Sequence, residues 1–531
     1  MSNSTHPWPT MPLGELAAGM CLGKMLDKQK NRGTLQPYLR NVNVRWFSFD
    51  LSDLKEMRFE GGEETRFELQ AGDLVICEGG EPGRAAVWRQ QTENAKIQKA
   101  LHRIRFHPDE YDPFFAMYYL FFGTITNRFV RHYTGTTIKH LTGAALSQVH
   151  FPVPPLNEQR RIVAKIEELF SDLDAGVAAL ERAKANLKRY RASVLKAAVE
   201  GRLTEQWRAD HPPRETASQL LDRILKERRR KWEEDQLAAY AKVGKKPPAN
   251  WRGKYKEPAG PDEGDLPALP ERWCWATVKQ LLVEDSCNGI SVKGSNTPPG
   301  IPALRLNAMG ESGFDYAERR YIPILADVAQ ALAIREGDFF VARGNGSLHL
   351  VGRGTLAQPP TEDIVFPDTM IRLRFSAPVT IRKYLGAIWP SRLLRRQIET
   401  RARTTAGIYK IAQRDVDRFV VPLPPLSEQE EVLAELERRF SIIQGAEAQL
   451  AANLKRSSRL RQSILKRAFE GKLVPQDPSD EPASVLLHRL TSQTAHTDSR
   501  QEVAAGNSRA RRKRNRVGTA ISRRTKGSPA K

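Results

Sequence analysis

Along residues 156–204, and again along 426–475, apolar residues return every seventh position among polar and charged ones. The first stripe is Ile166, Leu173, Leu180, Leu187 and Val194. The second is Leu436, Ile443, Leu450 and Ile464, broken once by Ser457. Phe170 and Val177, then Phe440 and Leu454, sit between them. A sustained heptad stripe marks a helix made to pair with another helix. About 45 residues at about 1.5 Å each give a rod of roughly 65 Å. A helix packed on its own domain is the alternative, but matching lengths and stripes favour the two helices packing on each other.

The stripes are copies. Pro152-Val153-Pro154-Pro155-Leu156-Asn157-Glu158-Gln159 opens one, and Pro422-Leu423-Pro424-Pro425-Leu426-Ser427-Glu428-Gln429 opens the other, 270 positions later. The offset holds without a gap to Ser193-Val194-Leu195-Lys196 and Ser463-Ile464-Leu465-Lys466. The prolines cannot lie inside a helix. Asn157 and Ser427 stand where an N-cap is expected, and Gly201 and Gly471 fit the left-handed residue after a helix. A repeat this distant is no solenoid, whose periods run about 20–50 residues. The chain therefore reads as two like halves, each a globular segment followed by a long helix. Two such halves close about a pseudo-two-fold axis with the helices antiparallel.

The first globular segment mixes short strands and helices. Tyr38 through Val44 reads as a strand, and Leu74-Val75-Ile76-Cys77 as a buried one after a Gly72-Asp73 turn. Gly79-Gly80-Glu81-Pro82-Gly83-Arg84 reads as a tight, mobile loop. Residues 111–126 are apolar enough for a core helix. The second segment echoes the first: Gly337-Asp338-Phe339-Phe340-Val341 parallels Gly72-Asp73-Leu74-Val75-Ile76, and Arg305-Leu306-Asn307 parallels Arg40-Asn41-Val42-Asn43 with its asparagine one place nearer. Residues 216–240 look helical, with Lys226-Glu227-Arg228-Arg229-Arg230-Lys231 read as a solvated face. Residues 243–270 are a linker dense in Pro, Gly and Lys. The boundaries are 1–155 and 269–425 for the globular domains and 156–204 and 426–475 for the long helices. Residues 205–268 form a charged helix and linker, and 476–531 a basic, disordered tail.

The opening P-x-P-P-L-x-E-Q, the heptad helix, the close S-[VI]-L-K-x-A-x-E-G-[RK]-L and the duplication together resemble the specificity subunit of type I restriction–modification systems. The likeness covers residues 1 to about 475. It implies an α+β fold: two target recognition domains of mixed-sheet, α/β type, separated by two long antiparallel coiled-coil helices in a pseudo-two-fold internal repeat. It implies a non-catalytic subunit that reads a bipartite, asymmetric sequence in double-stranded DNA. It also implies binding to two modification (methyltransferase) subunits and, through them, restriction (nuclease and translocase) subunits. Adenine methylation and ATP-dependent cleavage would then belong to the partners, together with S-adenosylmethionine, ATP and magnesium. No cofactor is expected on this chain.

Charge supports that direction. Of 531 residues, 84 are Lys or Arg and 62 Asp or Glu, a net charge of +22. Residues 503–531 hold ten of the cations and no acid, which leaves +12 on the rest. A polyanionic partner follows, nucleic acid before membrane. The apolar run at residues 117–122 is too short to span a bilayer. Cys21, Cys77, Cys274 and Cys287 show no C-x-x-C or zinc spacing and read as reduced thiols, with a cytoplasmic location expected.

A fused methyltransferase or restriction polypeptide is the rival reading, and a non-specific DNA-binding coiled-coil scaffold the third. Neither a P-loop nor a nucleophile elbow occurs. Asn296-Thr297-Pro298-Pro299 is not the methyltransferase tetrapeptide, since threonine interrupts it and no aromatic follows. Gly344-Asn345-Gly346 after a strand imitates a cofactor loop but matches the turn near Gly79. His6, His140, His150 and His349 are scattered without ligand spacing, so no catalytic, cofactor or metal residue is assigned. For DNA contact the candidates are loop cations, which grip guanine or phosphate: Arg84, Arg89 and Lys139 in the first domain, and Arg343, His349, Arg353 and Lys410 in the second. Arg40 and Arg305 read equally well as structural pairs.

Overall fold

The computed structural model describes residues 8–27, 31–137, 139–262, 264, 266–310, 313–376, 378–405 and 407–492. The chain divides into two compact units. One comprises Met1–Leu180 with Ala452–Lys531, and the other Glu181–Ala451, so both long helices are shared between them. Candidate residues His6 and the basic tail from Val503 lie outside the described residues.

In the first unit a four-stranded antiparallel sheet runs Ala17–Leu22, Leu101–Phe106, Leu74–Cys77, Ala85–Val87 in spatial order. Strand alternation splits its side chains between two cores. Leu74, Ile76, Val87 and Ile104 face the helix Pro113–Ile125, while Val75, Cys77, Ala86 and Leu101 face a smaller sheet. That sheet is mixed: Thr34–Leu39 lies antiparallel to Lys55–Phe59 and parallel to Lys96–Ile97. In the second unit the strands Cys287–Asn288, Met370–Leu373, Phe339–Ala342 and Gly354–Leu356 repeat the same order. Phe339 and Val341 face one core, Phe340 and Ala342 the other. The repeated Gly-Asp has a mechanical reason. Gly72 (φ 91°) and Gly337 (φ 80°) turn where a side chain would strain. Asp73 and Asp338 then accept two bonds each from strand arginines Arg105 (2.7 and 2.7 Å) and Arg374 (2.6 and 3.0 Å).

The long helices are Leu156–Val199 and Leu426–Phe469, 44 residues each. They are antiparallel, as either unit shows by itself. In the first unit Ile166 and Phe170, near one helix's start, share a core with Leu465, Ala468 and Phe469 at the other's end. In the second, Val194, Leu195 and Ala198 share a core with Val432 and Leu436. Ile443 is buried, whereas Leu173, Val177, Leu180, Leu187, Phe440, Leu450, Leu454 and Ile464 are half-buried, as expected of a two-helix seam. The aromatic pair is covered by cations: Arg461 lies 4.7 Å over Phe170 and bonds Asp174, and Arg191 lies 4.8 Å over Phe440. Where Ser457 interrupts the stripe, a cavity of about 380 Å³ opens beside Leu173 and Val177.

The motif before each helix is a joint rather than a cap. The helices begin at Leu156 and Leu426, so Asn157 and Ser427 lie inside the first turn and do not cap it. The glutamine side chains instead brace the proline turn: Gln159 and Gln429 donate to the carbonyls of Pro154 and Pro424, each at 2.9 Å. Glu158 accepts the Trp8 indole N–H at 3.1 Å, and Glu428 accepts that of Trp273 at 2.7 Å. Tyr111 and Tyr384 donate to the carbonyls of Pro152 (2.8 Å) and Pro422 (3.0 Å). Each globular segment is thereby hydrogen-bonded to its own helix start. Gly201 (φ 69°) and Gly471 (φ 67°) take the left-handed position, and the next residue's N–H returns to Ala197 and Arg467.

Several expectations need correction. The strand ends at Leu39, and Asn41–Asn43 turns as a 3-10 helix, because the Asn43 side chain accepts the Arg40 N–H at 2.9 Å. Arg228 is not solvated: it is 6% exposed and donates to the Leu282 carbonyl at 2.6 Å and to Asp285 at 2.5 Å. Residues 251–270 are no free linker. Trp251 stacks on Trp232, and the carbonyls of Ala259 and Pro267 accept from Thr277 and Trp275. Nor is the whole of 476–531 a tail, since residues 483–492 are helical. Leu486 and Leu490 are buried in the first unit's core, and Asp480 pairs with Arg161 at 2.7 Å. This helix is the counterpart of Ala217–Lys242. Ala217-Ser218-Gln219-Leu220-Leu221-Asp222-Arg223-Ile224 matches Ala483-Ser484-Val485-Leu486-Leu487-His488-Arg489-Leu490, and Arg223–Glu215 matches Arg489–Glu481.

Candidate nucleic-acid interface

Each unit places a hairpin against a glycine-bearing turn. In the second unit Arg403–Thr405 and Ile408–Lys410 pair, and Ile408–Lys410 also pairs with Gly344–Asn345, so Lys410 lies opposite Gly344 and Tyr409 opposite Asn345. In the first unit His140 bridges both Gly79 and Thr134. The 270-residue offset thus extends back from the long helices to the returning strand of this hairpin; the other arm is one residue out of step, since His140 pairs with Thr134 and Lys410 with Arg403. On the returning strand His140 corresponds to Lys410 and Lys139 to Tyr409, so Lys139 and Lys410 are one place apart, which on a strand means opposite faces.

The candidates separate into two groups. Lys139 and Lys410 are exposed on the hairpins, and Arg343 is half-buried where Phe339–Ala342 leads into Gly344. His349 is exposed in a 3-10 turn whose carbonyls are held by Arg395, and Arg353 is half-buried just beyond it. Arg343, His349, Arg353 and Lys410 thus all sit on segments adjoining the hairpin of the second unit. Arg84, by contrast, is consumed inside its loop: it bonds Glu81 at 2.7 Å and the Asn41 carbonyl at 2.9 Å. Asn41 in turn donates to the Gly79 carbonyl at 2.9 Å. The loop expected to be mobile is therefore tied at three points, including the Gly83 N–H on Cys77. Arg89 lies apart from the hairpin, 4.6 Å over Phe114 and 3.7 Å from Glu167 of the first long helix. Arg40 bonds Asp53 and Arg305 bonds Asn296, so both hold their own turns. Asn345, Arg403 and Tyr409 were missed as candidates. The gapless offset was the signal that leads to Tyr409, the counterpart of Lys139; Asn345 and Arg403 emerge only from their pairing with the returning strand.

The titratable groups with displaced pKa values are structural. Burial pushes the Cys77 thiol up to about 11, which keeps it protonated. Burial raises Glu158 against the lowering bond from Trp8, and it lowers His102, whose ring bonds the Leu141 carbonyl. Among the described residues no cluster of three His, Cys, Asp or Glu is disposed to hold a metal. No helix among them is long and apolar enough to cross a membrane. What this surface offers chemically is hydrogen-bond donors and positive charge.

Two units of one topology, each bonded to a long helix and each with its own hairpin edge, define a duplicated protein with a constant frame and variable edges. Residues 8–183 match the type I restriction modification DNA specificity domain. Across 508 residues the chain is 25% identical to the specificity subunit of the type I restriction enzyme EcoKI from Escherichia coli (strain K12), covering 90% of this chain and 91% of that one. It is 24% identical over 503 residues to the StySPI specificity subunit of Salmonella potsdam, covering 92% and 96%. A solved chain from a type I R-M system, described for its complex assembly and conformational transition, shares the fold with a TM-score of 0.57 at 19% identity, over 88% of this chain and 98% of that chain. Over most of its length the chain is similar to the specificity subunits of type I restriction–modification systems.

Proposed function

We propose that each unit reads one half of a bipartite DNA target through its hairpin and the adjoining turn, as the non-catalytic subunit of a larger complex. The observation that carries this is one backbone arrangement used twice with different side chains. His140 and Lys139 occupy the places taken by Lys410 and Tyr409. Base-edge contacts set sequence while phosphate contacts set affinity, so divergent edges on a constant frame give two unlike half-sites. The repeated P-x-P-P-L-x-E-Q openings and the outer faces of the two long helices offer two docking places for modification subunits, and restriction subunits attach through these. S-adenosylmethionine, ATP and magnesium belong to those partners.

The test is competition binding of the full chain, complexed with its methyltransferase subunit, to duplexes varied one half-site at a time. Exchanging residues 403–410 for another sequence should change one half-site preference and spare the other. A change in both half-sites together would sink the two-reader proposal.

A further inference from the structure

The second unit carries a basic groove. It has a volume of about 1330 Å³, and eight cationic and four acidic side chains line it. Three of the acids are already paired, two of them with cations of the groove itself: Asp417 with Ser286 and Lys279, Glu200 with Arg202 and Lys196, and Glu257 with Arg229 outside it. One wall is the strap whose carbonyls at Ala259 and Pro267 are bonded to Thr277 (3.0 Å) and Trp275 (3.2 Å). The other carries Arg396, Arg414 and Arg418, all exposed. None of these three has a carboxylate within ion-pairing distance among the described residues.

Arg414 and Arg418 lie four positions apart at the short helix Gln413–Asp417. In the first unit the same offset places Ala144 and Gln148 there. The helix Arg392–Arg401 that bears Arg396 runs directly into the hairpin strand Arg403–Thr405. Arg396 thus stands on the element that leads into the edge proposed to read DNA.

We infer that Arg396, Arg414 and Arg418 hold the phosphodiester backbone of one DNA strand beside the half-site read by the second unit. This rests on the DNA-reading function proposed above. It adds an asymmetry: one half of the target is gripped by backbone charge more strongly than the other. Guanidinium groups suit phosphate because they offer fixed forks of donors at permanent charge.

The experiment measures duplex affinity of the full chain as a function of salt, using DNA that carries the motif methylated in the host genome. R396A/R414A/R418A should flatten the log–log salt slope by about 2.7, at roughly 0.9 per phosphate contact. Between 50 and 200 mM salt, the unaltered chain should then lose about 40-fold more affinity than the triple variant. The loss should be the same for every half-site variant, and backbone footprinting should weaken beside the second half-site alone. R396K/R414K/R418K should retain the slope, and thermal unfolding should not move, because all three side chains are exposed. An unchanged slope overturns the inference. So does an unchanged slope with lost methyltransferase binding, which would make the groove a protein-docking surface. If the unaltered chain showed no sequence preference but the triple variant still flattened the slope, the reading function would fail while the phosphate clamp stood.

Discussion

Glu428 is the most connected joint in the second unit, and its removal should be felt far more than that of its copy. Its carboxylate accepts from Thr204 (2.7 Å), Arg208 (2.9 Å) and the Trp273 indole (2.7 Å), with 3% of the side chain exposed. It therefore ties the end of the first long helix, the start of the second and the entry to the globular segment. Breaking a buried ion pair from one side costs about 3–5 kcal/mol, because the partner is left charged and unpaired. Glu158 accepts one bond, from Trp8 at 3.1 Å, and its other oxygen has no hydrogen-bond partner. Losing that bond costs about 1–3 kcal/mol. Glu428→Ala should thus lower the melting transition of the Glu181–Ala451 unit by roughly 6–20 °C, at about 2–4 °C per kcal/mol. Glu158→Ala should move the other unit's transition by roughly 2–12 °C, about half as much at the midpoints. Calorimetry of the full chain, with hydrogen exchange assigning each transition, reads both. Glu428→Gln keeps the size and one acceptor and should recover part of the loss. Equal shifts for the two alanine variants, or a shift of the wrong unit with Glu428→Ala, would refute the reasoning.

Three further outcomes are expected. Phe469, fully buried among Phe115, Tyr119 and Phe122, should cost about 3–5 kcal/mol as Phe469→Ala, read by denaturant unfolding of the first unit. Leu486→Ala should cost that same unit about 2–5 kcal/mol, whereas a disordered tail would show no effect in the same titration. The Arg438 and Arg439 guanidinium groups hold the Glu435 carboxyl down to about 2. Its folded pKa lies below its unfolded one, so its stabilisation is present above the ordinary glutamate range and is lost as pH falls towards about 2. Glu435→Gln should remove that acid-side slope and leave stability below pH about 2 unchanged, as followed by circular dichroism across an acid titration.

Periodicity and repetition carried most of the architecture in the sequence alone. A seven-residue stripe states which helix face is apolar, and an ungapped copy of it states that a like helix exists to cover that face. Antiparallel pairing followed from the duplication, and the left-handed ends at Gly201 and Gly471 followed from glycine's lack of a Cβ. The likeness of the two globular segments was legible in Gly72-Asp73 and Gly337-Asp338, because that turn requires both residues. Other features depended on partners distant in the chain. Arg228 reads as one cation in a charged run, and only the carbonyl of Leu282 and the carboxylate of Asp285 make it a buried one. The proline-rich stretch becomes a groove wall only through Thr277 and Trp275. Arg84 is a plausible reader by type and loop position until the Asn41 carbonyl and Glu81 take up its donors. Local pattern reports what a segment can bury or turn. Which polar groups are left to meet DNA depends on the donors and acceptors already satisfied across the fold, and that sum is settled only when segments far apart in sequence come together.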